Sequence, residues 1–97
     1  MTVVLERLAD ELTVAPEELE RRSLLEYLER EQRLTNLNIA DLQDRYGVWS
    51  PDELAVRIER REVYAHPAWE ELIEWENLLS YQERLSAWQS SLEASYV

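Results

Sequence analysis

Apolar residues recur along this chain at the three- and four-residue spacing of helices rather than at the alternating spacing of strands. Their positions and the breaks between them predict helices at about residues 2–12, 16–46, 51–62 and 67–93. The chain has only one glycine and three prolines, and none of these lies between residues 17 and 46. The pattern therefore predicts a single all-α domain with two long helices and two short ones.

The second predicted helix carries an apolar seam with heptad spacing. Its members are Leu25, Leu28, Gln32, Thr35, Ile39, Leu42 and Tyr46. Such a seam is typical of a helix that packs lengthwise against another helix. A neighbouring stripe consists of Leu24, Tyr27, Leu34 and Leu37. The two stripes together make an apolar face that is wider than a two-stranded coil needs.

The fourth predicted helix has a comparable stripe. Its members are Leu78, Tyr81, Leu85, Trp88 and Leu92, and Tyr96 extends it. Further apolar residues thicken its first half, namely Trp69, Leu72, Ile73, Trp75 and Leu79. We therefore expect the two long helices to form an antiparallel pair. The helix at 51–62 would join them, and the helix at 2–12 would fold back on the second helix.

Local signals define several helix ends. Pro16 and Pro51 suit the first helical position, where a missing N–H costs nothing. Residues 50–53 read Ser-Pro-Asp-Glu, which is a capping box that starts the third helix. Gly47 suits the left-handed position that ends the second helix. Pro67 marks the start of the fourth.

The length of the helices predicts that they pack against a second protein chain. A helix over residues 16–46 is about 46 Å long, whereas a compact domain of 97 residues has a radius of gyration of about 13 Å and is roughly 33 Å across. The helix would project from its own monomer, so we expect a homodimer that shares a helical-bundle core. The residues predicted to make this or another protein interface are Leu25, Leu28, Ile39, Leu42, Trp69, Trp75, Tyr81, Leu85 and Trp88.

Charge narrows the choice of partner. The formal net charge is −11, from twenty-one acids and ten basic residues, and acids exceed bases in both halves of the chain. Nucleic acids and anionic membranes are disfavoured by this charge, and a basic partner protein is favoured. The chain contains no cysteine, no apolar run of membrane-spanning length and no signal-peptide pattern at residues 1–6, so we expect a cytoplasmic protein.

Catalytic chemistry has little support in the sequence. The single histidine, His66, precedes Pro67 in a link between helices, without the nucleophile and oxyanion donors that acyl transfer needs. We expect His66 to support the turn by hydrogen bonding. Glu70, Glu71 and Glu74 are spaced as a solvated helix face, and one histidine cannot supply the Glu-x-x-His pairs of a bundle metal site. The sequence predicts no enzyme, no cofactor and no metal site.

DNA binding through residues 2–31 is the alternative function. Residues 8–19 resemble a helix-turn-helix, with Ala9, Thr13 and Leu19 where that motif keeps a small residue, a turn and a packing residue. Residues 2–31 also resemble a ribbon-helix-helix repressor, with a strand at 2–5. The recognition helix of the first motif would begin with Glu17 and Glu18, which DNA phosphates repel.

The chain also resembles a group of small, acidic, helical prokaryotic proteins of unassigned activity. Residues 45–54, RYGVWSPDEL, and residues 62–78, EVYAHPAWEELIEWENL, carry this resemblance, which extends from residue 2 to about residue 85. Such proteins are similar in size, acidity and helical make-up to the antitoxins of toxin–antitoxin pairs. The resemblance implies a non-enzymatic, antitoxin-like inhibitor or adaptor, and it implies no catalytic residue.

Overall fold

Four helical segments account for most of the chain. In this computed structural model, which describes residues 2–95 and the side chains of residues 3–95, they are α1 (Thr2–Leu12), α2 (Pro16–Tyr46), α3 (Pro51–Glu59) and α4 (Ala65–Ser95). Residues 2–95 contain no strand. The prediction of an all-α protein is therefore confirmed, and α1 and α2 have the bounds that the sequence predicts.

The predicted caps set the junction between α2 and α3. Gly47 adopts φ 64°, and its N–H donates to the Gln43 carbonyl at 2.8 Å. The hydroxyl of Ser50 accepts from the Glu53 N–H at 3.3 Å. The Glu53 carboxylate accepts from the Trp49 N–H at 3.0 Å, one residue earlier than an ideal capping box. These bonds satisfy backbone groups that the helix ends leave open.

Two helix ends differ from the prediction. α3 stops three residues early because Arg61 turns left-handed, with φ 59°, and the Glu62 N–H returns to the Arg57 carbonyl at 2.9 Å. In α4, His66 has extended backbone angles, φ −116° and ψ 125°, as residues before proline prefer. Regular helix therefore starts at Pro67, as predicted, and it continues to Ser95.

The molecule is a rod rather than the compact body assumed from its length. It measures 60 × 22 × 19 Å, and its radius of gyration is 19.4 Å. α2 packs along α4, while α3 packs on α4 and α1 packs on α2. The expectation that α2 projects from a compact monomer is wrong, because α4 is equally long and lies beside it.

The main core lies where α2, α3 and the first half of α4 meet. We call this part of the rod the closed end. Its buried side chains are Ile39, Leu42, Val48, Leu54, Ala68, Leu72 and Trp75. Arg57 of α3 adds a polar tie, since its guanidinium donates to the Tyr46 carbonyl at 3.1 Å. The opposite part of the rod, with α1, the first half of α2 and the last turns of α4, is the open end.

The heptad seam of α2 faces α4. Thr35, Ile39 and Leu42 are buried, and the other four members of the seam are half-buried. The matching line on α4 consists of Trp75, Leu78, Gln82, Leu85, Gln89 and Leu92, all buried or half-buried. Trp88, which the sequence assigns to this line, is 68% exposed, because Gln89 takes the inward position. Tyr96 lies outside the described residues.

Polar side chains interrupt the seam between the closed and the open end. The Gln32 amide donates to Gln89 at 2.8 Å, and the Gln82 amide donates to Asn36 at 2.6 Å. The Tyr81 hydroxyl donates to Glu31, also at 2.6 Å. We call these six residues the polar layer.

Candidate interaction surfaces

The nine predicted interface residues fall into three groups. Ile39, Leu42, Trp75 and Leu85 are buried by the chain's own helices, so covering them requires no second copy. Leu25, Leu28 and Tyr81 are half-buried along the line between α2 and α4, whereas Trp69 and Trp88 are exposed. The last two residues therefore mark the surfaces that a partner can reach.

The first such surface is an apolar groove at the open end. It has a volume of about 270 Å³ and is lined by Leu24, Tyr27, Leu28, Trp88 and Leu92. We call it the open-end groove. Tyr27 and Trp88 are both exposed, on either side of the line where α2 meets α4. Two further exposed leucines, Leu34 and Leu37, continue the α2 stripe towards the polar layer.

α1 presents a second apolar surface at the same end. Ala9 is fully buried, and its small side chain lets α1 approach α2 closely. Three larger apolar residues, Val4, Leu8 and Leu12, are exposed. They are spaced four residues apart and so share one face of the helix. The chain leaves this face of α1 without cover.

The third surface is the acidic outer face of α4 at the closed end. Trp69 and Ile73 are 53% and 57% exposed and lie one turn apart. Glu70, Glu74 and Glu76 are exposed beside them. We call these five residues the acidic α4 face. It combines apolar side chains with carboxylates and contains no basic residue.

Glu71 lies at the edge of this face and ties it to α2. Arg45 donates to Glu71 at 2.5 Å and to Asp41 at 2.6 Å, and the bond to Glu71 raises the pKa of Arg45. Burial, aided by a hydrogen bond to Glu71, raises the pKa of Tyr46 to about 12. Glu71 therefore serves the packing of α2 on α4, which leaves the three exposed glutamates of the face for other partners.

His66 contributes a hydrogen bond beside the same face. Its Nδ1 atom lies 2.9 Å from the Glu70 carboxylate, in agreement with the expectation that His66 supports the turn by hydrogen bonding. Both side chains are exposed to solvent. The pair has no serine, threonine or cysteine of the kind that nucleophilic catalysis uses among its hydrogen-bond partners.

An open polar cavity of about 470 Å³ lies over the polar layer. Its lining consists of Gln32, Asn36, Gln82, Glu83 and Ser86. Its three amides already form hydrogen bonds across the helices: Gln82 donates to Asn36, and Gln32 donates to Gln89. Amide and hydroxyl groups with one carboxylate favour water or a polar ligand, and they provide no strong base or metal-ligand set.

Metal binding and membrane insertion have no support in the described part of the chain. Among its side chains, no group of three or more His, Asp and Glu residues is arranged to hold a metal ion. None of the described helices combines the length and apolar character that crossing a bilayer requires.

Sequence reasoning missed part of these surfaces. Ile73, Leu24, Tyr27 and Leu92 were assigned to apolar stripes but not to an interface. Periodicity alone gives the side of a helix, and it does not say how far a neighbouring helix covers that side. Apolar spacing alone gives no sign of the two half-buried glutamines of the α4 seam, Gln82 and Gln89.

The fold places this chain among all-α proteins whose exposed chemistry lies on helix faces. More particularly, the chain belongs to the Uncharacterized protein MJ0235 family, which matches residues 1–96. This family agrees with the resemblance to small helical proteins of unassigned activity. Comparison with curated proteins gives no match, and neither does comparison with solved structures.

Proposed function

We propose that this chain is a non-enzymatic protein-interaction module that binds a basic partner protein through the acidic α4 face. In this role it is an antitoxin-like inhibitor or an adaptor, and it acts in the cytoplasm as a homodimer of antiparallel helix pairs. The exposed pair Trp69 and Ile73, set among three exposed carboxylates, is the observation that carries the proposal.

The apolar pair supplies the affinity. Tryptophan is enriched among the residues that dominate binding energy at interfaces. Trp69 is 53% exposed, so covering it removes roughly 130 Å² from water, which is worth about 3 kcal/mol before the costs of ordering. Ile73 lies one turn further along the same face and adds a second anchor.

The carboxylates supply the choice of partner. Residues 67–79 contain four glutamates and no basic residue, and only Glu71 of the four is joined to an arginine. Glu74 and Glu76 therefore present unpaired carboxylates beside the apolar pair, and the exposed Glu70 is bonded only to His66 among the described residues. Such a ring accelerates encounter with a basic protein and disfavours acidic ones. The net charge of −11 acts in the same direction.

The test is capture of a partner by immobilised full-length chain. A suitable first bait–prey pair is this chain with the product of the neighbouring reading frame, followed by source-cell lysate. We expect retention at low salt by wild type and loss of it in Trp69→Ala. The matched control is Trp49→Ala, an exposed tryptophan in the link between α2 and α3, which belongs neither to the acidic α4 face nor to the open-end groove.

Charge reversal distinguishes this mode of binding from non-specific binding through exposed apolar side chains. Glu70→Lys with Glu74→Lys should abolish retention, and added salt should weaken it in wild type. The proposal fails if wild type retains no basic protein at low salt. It also fails if Trp69→Ala and Trp49→Ala retain the same amount.

DNA binding through residues 2–31 has one observation in its favour. Thr13 adopts a left-handed backbone with φ 59°, which is the conformation of the turn glycine in a helix-turn-helix. The ribbon-helix-helix likeness is wrong in one respect, since residues 2–5 lie in α1 and form no strand. A mobility shift of the chain's own promoter DNA at about 50 mM salt tests this second candidate, and no shift removes it.

A further inference from the structure

We propose that the open-end groove of one chain receives α1 of a second copy, and that the second copy's groove receives α1 of the first. This inference rests on the homodimer of the proposed function and names the surfaces that build it. It is independent of the acidic α4 face, which lies at the other end of the rod.

The two surfaces fit each other in length and chemistry. The exposed apolar stripe of α2 runs from Leu24 to Leu37, about 20 Å, and α1 with its eleven residues is about 16 Å long. α1 offers Val4, Leu8 and Leu12 at four-residue spacing. An apolar groove between two helices that receives such a face is a common mode of helix recognition.

Charges beside the groove favour α1 as its occupant. Arg30 and Arg33 lie with Tyr27 around a neighbouring cavity of about 400 Å³. Among the described residues, neither arginine forms an ion pair. The same holds for Glu11 of α1, which flanks the face that carries Leu8 and Leu12. Docking of this face beside Tyr27 would give Glu11 and the arginines a partner, whereas Asp10 lies on the opposite side of α1.

Reciprocity explains why a second copy fits better than a foreign helix. A stable interface buries about 800 Å² on each partner, which is more than a groove with five lining residues offers by itself. In a twofold dimer each chain contributes one groove and one α1 face, so the contact is made twice. The chain's own α1 does not fill its groove, because α1 packs on α2 with Ala9 buried and leaves Val4, Leu8 and Leu12 exposed.

Sedimentation equilibrium of the full-length chain tests the proposal. We expect a dimer at micromolar concentration, and at least tenfold weaker dimerisation in Leu8→Glu and in Trp88→Ser. Leu8→Ala is a milder companion that retains helix propensity, and circular dichroism checks folding of every variant. The matched control, Ile73→Ser on the acidic α4 face, should dimerise like wild type.

Complementation identifies reciprocal docking. A mixture of Leu8→Glu and Trp88→Ser retains one intact groove with one intact α1 face, so it should form heterodimers more tightly than either variant forms homodimers. Charge reversal of Arg30 and Arg33 to Glu should weaken the dimer, and Glu11→Arg on the same chain should restore it in part, whereas Asp10→Arg on the opposite side of α1 should not. A monomeric wild type, or variants at Leu8 and Trp88 that dimerise normally, would overturn the proposal.

Salt separates failure of this proposal from failure of the proposed function. Two chains of charge −11 repel each other, so added salt should strengthen the dimer by screening. Binding of a basic partner should weaken under the same conditions. Loss of partner binding in Trp69→Ala with an unchanged dimer would support both proposals, and an unchanged dimer in Trp88→Ser would reject only this one.

Discussion

The closed and open ends of the rod use the same residue types for opposite purposes. Trp75 and Trp88 lie on one helix, yet the first is 1% exposed and the second 68%. At the closed end α3 adds a third layer beside α2 and α4, so Trp75 is covered on all sides. Among the described residues of the open end, only Ala9 is buried. The difference teaches that folding energy is concentrated at the closed end, whereas the surface of the proposed dimer lies at the open end.

Truncation of the two tryptophans should give the largest difference in stability between the two ends. Trp75→Ala should destabilise the protein by about 3–5 kcal/mol, because it leaves a cavity in a packed core. Trp88→Ala should change the stability of dilute protein by less than about 1 kcal/mol. Urea denaturation followed by circular dichroism measures both. Equal effects would mean that the two ends are packed alike.

The polar layer marks the boundary between the ends. A double-mutant cycle measures how much its hydrogen bond between Gln32 and Gln89 contributes to stability. Gln32→Leu alone should cost about 1–3 kcal/mol, since it leaves the Gln89 amide half-buried without its partner. Gln32→Leu with Gln89→Leu should come close to wild type, because both polar groups are removed together. Thermal or urea unfolding of the four proteins gives the coupling. Strict additivity would show that the bond across the helices contributes nothing.

Removal of the α3 cap tests how much the Ser50 side chain stabilises the closed end. Ser50→Ala removes the acceptor for the Glu53 N–H and should destabilise the protein by about 1 kcal/mol. Ser90→Ala, on the exposed side of α4, is the control and should change stability by less than about 0.5 kcal/mol. A cap variant as stable as the control would contradict the capping role.

The two ends should also respond to opposite extremes of pH. At the open end, hydrogen bonds from Arg21 and Arg22 lower the pKa of Glu18 to about 2 from its ordinary 4.5. A lowered folded-state pKa stabilises the fold above the unfolded value, and this contribution disappears as pH falls from 4.5 towards 2. Glu18→Gln should lose this acid dependence. Stability curves of both proteins between those pH values are the measurement, and parallel curves would refute it.

At the closed end the relevant group is Tyr46. Its pKa is raised to about 12 from 10, so its contribution is complete below pH 10 and is lost as pH rises towards 12. Absorbance at alkaline pH should resolve late-titrating tyrosines, one of which Tyr46→Phe removes. Tyr81 also titrates late, because its hydroxyl donates to Glu31, and Tyr81→Phe distinguishes the two. If Tyr46→Phe leaves the late phase unchanged, the assignment is wrong.

Local signals allowed much of the fold to be predicted from the sequence. Pro16, Gly47, Ser50 and Pro67 fixed helix ends because each has a backbone preference that needs no tertiary context. The early stop of α3 was missed because arginine at position 61 gives no sign of a left-handed backbone. The elongated shape could not be predicted from chain length, because the radius of gyration expected for that length is the one of a compact body. The observed radius of gyration is 19.4 Å.

The candidate surfaces were harder to predict than the fold. Periodicity identified Trp75 and Trp88 alike as apolar positions on a helix, and only the packing of α2 and α3 separates them. Charge pattern did better, since the glutamates around Trp69 were visible as an acidic cluster. What the sequence lacked was the cover that each helix face receives, which depends on where Gln82 and Gln89 take inward positions.

Hydrogen–deuterium exchange at two protein concentrations tests most directly whether the closed end is packed within one chain and the open end is covered by a second copy. The account predicts slow, concentration-independent exchange at the closed end. At the open end, amides of α1 and of residues 24–37 and 85–92 should exchange faster in dilute protein and slow markedly as concentration rises. Equal protection at both ends, unchanged by concentration, would contradict the account.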